Sequence, residues 1–236
     1  MTIDPQLRQV LDRTGPVLLD FDGPVTQLFI EGRNVVVADQ MKAVLREQRV
    51  ALPESIARTV DPLAVLRWSA VEAPPQLRHR VEATSITGEV IAAGTTEPTP
   101  GAHELLAACK AADRPVVIVS NNAEEAIRAY LTRYQLQPYI AAVMARTTGH
   151  PELMKPHPDI IIRALKFLGS PAGDCCMIGD SVTDIEVSLA TGVHPIGYGK
   201  TPRRTEELRA AGAFAIVTTM QDLVAATRAT TALMRT

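Results

Sequence analysis

Four aspartates fall into two pairs whose spacing suits chemistry on a charged group. Asp20 and Asp22 stand two apart in Asp20-Phe21-Asp22-Gly23, where an apolar run beginning at Val17 ends. Both can face one crevice if the chain turns between them, and Gly23 permits a tight turn and close backbone approach. Crowded carboxylates repel, so one tends to hold a proton unless a cation lies near. A protonated carboxyl beside an ionised one is the pairing that a nucleophile and a general acid require. Alone, the pair also reads as a capping and a turn aspartate. Asp180 and Asp184 stand four apart in Gly179-Asp180-Ser181-Val182-Thr183-Asp184. A helix starting near Ser181 would put Asp180 at its N-cap and Asp184 one turn in. With Asp20 close by, Asp20 and Asp180 would supply the one or two carboxylates that magnesium takes alongside water and phosphate oxygens.

Two further groups could meet an anion. Ser120 and Asn121 follow the run Val116 to Val119 and lead into a helical pattern. Hydroxyl, amide and free N–H groups at such a junction form an anion site, although an ordinary N-cap would use the same residues. A serine nucleophile is not favoured: there is no GxSxG elbow and no evident histidine partner. Lys155 lies in Met154-Lys155-Pro156-His157-Pro158. The prolines stiffen that segment, and a fixed ammonium could hold a phosphate and offset the carboxylates.

The elements that must position these groups alternate. Apolar runs at Val17–Phe21, Val116–Val119, Ile140–Met144, Cys175–Ile178, His194–Ile196 and Ala213–Val217 read as strands. Helical patterns at 101–112, 123–134, 158–168, 181–191 and 205–211 separate the later ones, with Gly192 and Gly212 as stops. Apolar strands alternating with amphipathic helices predict a parallel sheet covered on both faces, an α/β core of Rossmann-like type. Ligands bind outside the carboxyl ends of such strands, where the three polar strand ends would converge. Residues 28–94 break the alternation. After a possible strand at Val35–Val37 they read as helices at 38–49, 53–60, 62–72 and 75–93, punctuated by prolines 53, 62, 74 and 75. The expected organisation is a core of residues 1–27 plus 95–236 and an inserted helical domain of residues 28–94, with Gly94 to Gly101 as a linker.

Composition narrows the function classes. The 236 residues carry 24 basic and 26 acidic side chains, a formal charge of −2, and only 4% aromatics. Neither a bias toward nucleic acid or anionic lipid nor a base-stacking surface is expected. The polar N-terminal stretch lacks the apolar core of a signal peptide, and no run approaches a membrane span, so a cytoplasmic, soluble protein is expected. Cys109, Cys175 and Cys176 show no CxxC spacing and read as small buried hydrophobes. The inserted region holds Arg58, Arg67, Trp68, Arg78, His79 and Arg80, any of which could meet a substrate's second anionic group. Lys42 reads as a surface helix residue, and the loop Gly197 to Arg204 as a further site candidate.

The four stretches Asp20-Phe-Asp-Gly23, Ser120-Asn121, Lys155-Pro156 and Gly179-Asp180-Ser-Val-Thr-Asp184, in that order, resemble the haloacid dehalogenase superfamily of phosphohydrolases. The helical insert resembles that family's cap. The resemblance implies that Asp20 attacks phosphorus and forms an aspartyl-phosphate, while Asp22 protonates the leaving alcohol and then activates water. It further implies that Gly23, Ser120, Asn121 and Lys155 hold the phosphoryl group. Asp20, the Asp22 carbonyl, Asp180 and Asp184 would ligate or orient Mg2+, and the partner would be a small phosphorylated metabolite. Pro24-Val25 replaces the family's usual Thr-Leu, and no acidic residue follows at Gln27 or Leu28, which touches hinge and substrate contacts more than the chemistry. A phosphosugar mutase of the β-phosphoglucomutase type keeps the same motifs. A silent binding module on this fold would have no need of four converging carboxylates. Oligomeric state is not legible.

Overall fold

The computed structural model describes residues 3–30 and 32–234; residues 1–2, Glu31 and residues 235–236, which belong to the ranges expected above, lie outside it. The chain runs α1 (Pro5–Arg13), β1 (Val17–Leu19), α2 (Arg33–Glu47), α3 (Glu54–Arg58), α4 (Pro62–Glu72), α5 (Pro75–Ala93) and α6 (Ala102–Ala111). It continues β2 (Val116–Val119), α7 (Glu124–Arg133), β3 (Ala142–Met144), α8 (Asp159–Leu168), β4 (Cys176–Gly179), α9 (Val182–Thr191), β5 (His194–Tyr198), α10 (Pro202–Ala210), β6 (Ala215–Val217) and α11 (Met220–Met234). Six strands form one parallel sheet in the order β3-β2-β1-β4-β5-β6, the α/β architecture expected.

Strand chemistry explains the layering. Val17, Leu18 and Leu19 are all buried, because β1 is central and covered on both faces. Val17 and Leu19 join Val116 and Ile118 against α1, α6, α7 and α11, through Leu7, Val10, Leu105, Tyr130 and Leu223. Leu18 joins Val117, Val119 and Met177 on the opposite face, against Ile160 and Ile161 of α8 and Val187 of α9. Each such buried side chain contributes about 1.5–3 kcal/mol. The three cysteines are free and buried in these layers, as expected.

The order reverses direction at β1/β4, so the switch point lies between these two strands. Leu19 is level with Ile118 of β2 and with Ile178 of β4. One residue further on, Asp20, Val119 and Gly179 therefore leave the sheet together at one edge. The strand ends before Asp20, whose N–H donates to the Ile178 carbonyl at 2.9 Å.

Between β1 and β2 lie α2–α5, with an apolar cluster of their own that includes Val37, Met41, Leu45, Val65, Leu66 and Val81. Gly88 of α5 lets α2 approach closely: a Cβ there would sit 2.5 Å from a Val37 methyl. Val35–Val37 is thus helix, not strand: the three valines lie within α2, and Val37 packs against α5. Lys42 is also not a surface residue. It is buried, and its ammonium meets Asp39 at 2.7 Å and the Thr59 carbonyl at 3.0 Å. The two passages joining this insert to the sheet are stitched side by side. The buried Thr26 hydroxyl donates to the Glu97 carbonyl at 2.7 Å, and the Thr99 hydroxyl donates to the Gly23 carbonyl at 2.7 Å. No helix among the described residues is long and apolar enough to cross a membrane.

Candidate active site

The aspartates meet at the switch point. Asp20, Asp180 and Asp184 each place one carboxylate oxygen within 4.8 Å of the others. Lys155, buried like Asp20 and Asp184, reaches in from the loop before α8. Its ammonium donates to Asp184 Oδ1 at 2.7 Å, to Asp20 Oδ1 at 2.9 Å and to the Val119 carbonyl at 3.0 Å. These three bonds use all three of its protons. Lys155 is therefore first the counter-charge of the carboxylates, and a phosphate would have to share it.

Gly23 makes the turn after Asp22, with φ of 102°. A Cβ there would lie 2.2 Å from Asp180 Oδ2, so only glycine lets the two loops close on each other. The Gly23 N–H donates to the Thr26 carbonyl at 2.6 Å. That bond commits this amide to the turn. Asn121 lines the cavity. Its side chain clamps the Lys155 backbone, accepting from the N–H at 2.7 Å and donating to the carbonyl at 3.2 Å. The Ser120 hydroxyl is buried and donates to Asn122 Oδ1 at 2.9 Å.

Ser181, not Asp180, caps α9, in a capping box with Asp184. Asp184 is fully buried. One of its oxygens serves Lys155, and the other accepts from the Ser181 N–H at 3.0 Å and hydroxyl at 2.7 Å. Both of its oxygens are thus engaged within the protein. Asp180, released from capping, lines the cavity. Asp22 is partly exposed, lines the same cavity, and accepts from the Leu28 N–H at 2.8 Å.

The electrostatics are under-compensated. Burial first, then Asp184 and Asp180, push the Asp20 carboxyl well above the usual range, against the pull of Lys155. Burial likewise raises Asp22. Burial, Asp184 and Asp22 raise Asp180 to about 7. Burial alone would lower the Lys155 ammonium, but Asp184 and Asp20 outweigh it and hold it above its ordinary value. Hard carboxylate oxygens at this density, short of positive charge, fit a divalent cation such as magnesium.

The cavity above these groups has a volume of about 720 Å³. Core and insert both line it: Asp20, Asp22, Ser120, Lys155 and Asp180 at the base, Asn34 and Arg67 from α2 and α4. Of the insert's candidate residues Arg67 alone lines it, donating to the Lys155 carbonyl at 3.2 Å. Arg58 pairs with Glu54 in solvent, Arg80 pairs with Glu47, and Arg78 donates to the Ala73 and Val71 carbonyls. Trp68 packs against the insert's apolar cluster, and His79 is exposed. The loop after β5 does border the site, through Lys200, Thr201 and Arg204. Asn34, Asp61 and Leu63 were not foreseen, and single polar or apolar residues at helix starts carry no sequence signal that would single them out.

Fold and site together define a parallel α/β protein with a lysine-countered acidic site at its switch point. The model of the haloacid dehalogenase-like hydrolase family matches residues 16–190, and the chain belongs to that family. A probable phosphatase, IndB, of Dickeya dadantii is 30% identical over 131 residues, 55% of this chain and 56% of that one. A phosphoglycolate phosphatase of Mesorhizobium japonicum is 28% identical over 116 residues, 48% of this chain and 50% of that one. The chain thus spans about half the length of these curated relatives. Among solved structures, CbbY of Rhodobacter sphaeroides in complex with phosphate superposes with a TM-score of 0.67 at 16% identity, covering 89% of this chain and 96% of that one. A haloacid dehalogenase-like protein of Agrobacterium tumefaciens gives 0.60 at 22% identity, covering 94% and 100%. These structures share the fold.

Proposed function

We propose that this chain is a magnesium-dependent phosphatase that hydrolyses small phosphate monoesters through an aspartyl-phosphate on Asp20. The observation that carries the reading is Asp20 itself: a carboxylate at a central strand end, on the floor of a cavity, held at 2.9 Å by a buried lysine. Asp20 attacks phosphorus and the ester oxygen leaves. Asp22, whose carboxyl burial keeps ready to hold a proton, protonates that oxygen and afterwards takes a proton from the water that hydrolyses the acyl phosphate. The Ser120 hydroxyl and Lys155 meet the phosphoryl oxygens, with Asn121 fixing the lysine's backbone. Asp20, the Asp22 carbonyl and Asp180 would hold magnesium, and Asp184 would orient them. Bound there, the cation neutralises phosphate charge and keeps Asp20 ionised.

The helical insert, residues 28–94, serves in this reading as a cap over the core of residues 1–27 and 95–236. A cavity of about 720 Å³ suits a small metabolite. The relatives' names, a probable phosphatase and a phosphoglycolate phosphatase, point the same way. A cytoplasmic place fits such a substrate.

The test is phosphate release from a panel of phosphorylated metabolites, with magnesium and with EDTA, for wild type and Asp20→Asn. Magnesium-dependent release that the variant loses is the expected result. Transfer of phosphate within a sugar, with none released to water, would identify a mutase instead. Inactivity of the wild type on every compound would leave a binding module.

A further inference from the structure

We propose that Glu89 and Arg146, which lie outside the cavity, are positioning residues that hold the phosphate-binding face of the site from the helical insert. The inference rests on the phosphatase reading. Glu89 lies on α5 and is fully buried. Its carboxylate accepts from Arg146 Nη1 at 2.7 and 3.0 Å, from the Ser85 hydroxyl at 2.9 Å and from the Ala123 N–H at 2.6 Å. Arg146, just beyond β3, is also buried and donates to the Asn121 carbonyl at 3.1 Å. The Arg146 N–H donates to the Asn122 carbonyl at 3.3 Å. Two residues of the loop after β2, Asn121 and Ala123, are thus held by one carboxylate–guanidinium pair, and Asn122 between them by the Arg146 backbone.

That loop contacts the groups that would meet phosphate. Ser120 precedes it and bonds to the Asn122 side chain, and the Asn121 side chain clamps Lys155 on both backbone groups. Neither Glu89 nor Arg146 lines the cavity, so both act through the loop and not on the substrate. A pair serving only to join two layers could bond any groups between them. Here the partners are the backbone atoms that set where the Ser120 hydroxyl and the Lys155 ammonium stand. The metal-side groups, Asp180 and Asp184, follow β4 on the other side of β1, and Lys155, through its bond to Asp184 Oδ1, joins them to this network.

The experiment measures inorganic phosphate and magnesium binding by calorimetry, together with kcat and KM. The proteins are wild type, Glu89→Gln and the triple variant Glu82→Gln/Glu89→Gln/Arg146→Met, in which the buried ionic cluster is replaced by uncharged groups and no lone charge is left on Arg146 or Glu82. Phosphate affinity and kcat reduced by about tenfold or more, with magnesium affinity within about twofold of wild type, is the expected result for both variants. Folded variants with wild-type phosphate affinity overturn the proposal. Joint loss of phosphate and magnesium binding in both variants, or failure of both to fold, also overturns it, because the pair then serves only the fold. If the wild type itself binds no phosphate, the phosphatase reading falls, a result distinct from wild-type-like variants.

Discussion

Two buried charge clusters share the loop after β2, and they are built on opposite terms. The first gathers Asp20, Asp22, Asp180 and Asp184 around one buried cation, Lys155, and opens onto the cavity. Its carboxyls at 20, 22 and 180 are all driven upward, and the cluster is stable as it stands only with protons or a cation. The second gathers Glu82, Glu89 and Arg146 between α5 and the core, away from the cavity. There the Glu89 carboxylate meets a guanidinium, a hydroxyl and a backbone N–H, and Glu82 takes the Gly149 N–H at 2.8 Å. Glu82 Oε1 and Arg146 Nη2 are the buried side-chain atoms without a hydrogen-bond partner among the described residues, although Glu82 Oε1 lies 3.9 Å from Arg146 Nε. Composition alone would rank both clusters as sites. What separates them is where the missing charge is to come from: outside the protein in the first, within it in the second.

The comparison breaks most visibly at Asp20. Asp20→Asn keeps the side chain's shape and removes the nucleophile, so turnover is expected to fall by roughly 10⁴-fold or more in a phosphate-release assay. Its melting temperature is expected to hold or rise, because an uncharged amide relieves a crowded carboxylate. The second cluster responds in the other sense. Arg146→Met leaves two glutamates buried without their cation, and urea unfolding is expected to show a loss of about 3–5 kcal/mol. The same pair joins α5 of the insert to the core.

A smaller effect concerns pH. Asp180, raised to about 7, binds its proton more tightly in the folded chain than in the unfolded one. In metal-free protein its contribution to stability is therefore lost as pH rises toward and through 7. Magnesium must displace that proton, so its apparent affinity falls below pH 7, by up to about tenfold per pH unit. The thermal shift on adding magnesium is expected to be larger at about pH 8 than at about pH 6. The smallest effect calibrates the rest. Arg58→Ala removes a solvent-exposed pair with Glu54 and is expected to change stability by less than about 0.5 kcal/mol and kcat not at all.

Sequence reading reached furthest where residue type and element end coincide. Asp20, Asp180 and Ser120 each follow an apolar run, and parallel register alone then brings them within one residue of level. It failed where packing decides. Val35–Val37 looked like a strand, but it lies within α2, with Val37 packed against α5 at Gly88. Lys42 looked solvated, yet carbonyls at the end of α3 take its ammonium inside. Helices α1 and α11 went unread because their short apolar stripes lie among polar residues at the chain's two ends. Glu89 and Arg146 lie 57 residues apart, each in an unremarkable local pattern, and nothing local marks them as a pair. Asn121 and Gly23 both line the cavity, and the Asn121 side chain and the Gly23 N–H bond within the protein.

The central claim is that phosphate passes through Asp20. The direct measurement is rapid acid quench of the magnesium-loaded wild-type enzyme during turnover of a substrate it hydrolyses, followed by peptide mass spectrometry. The expected result is one added phosphoryl group on the peptide containing Asp20, absent in Asp20→Asn. Phosphate release without that adduct, or with the adduct on another residue, would contradict the account.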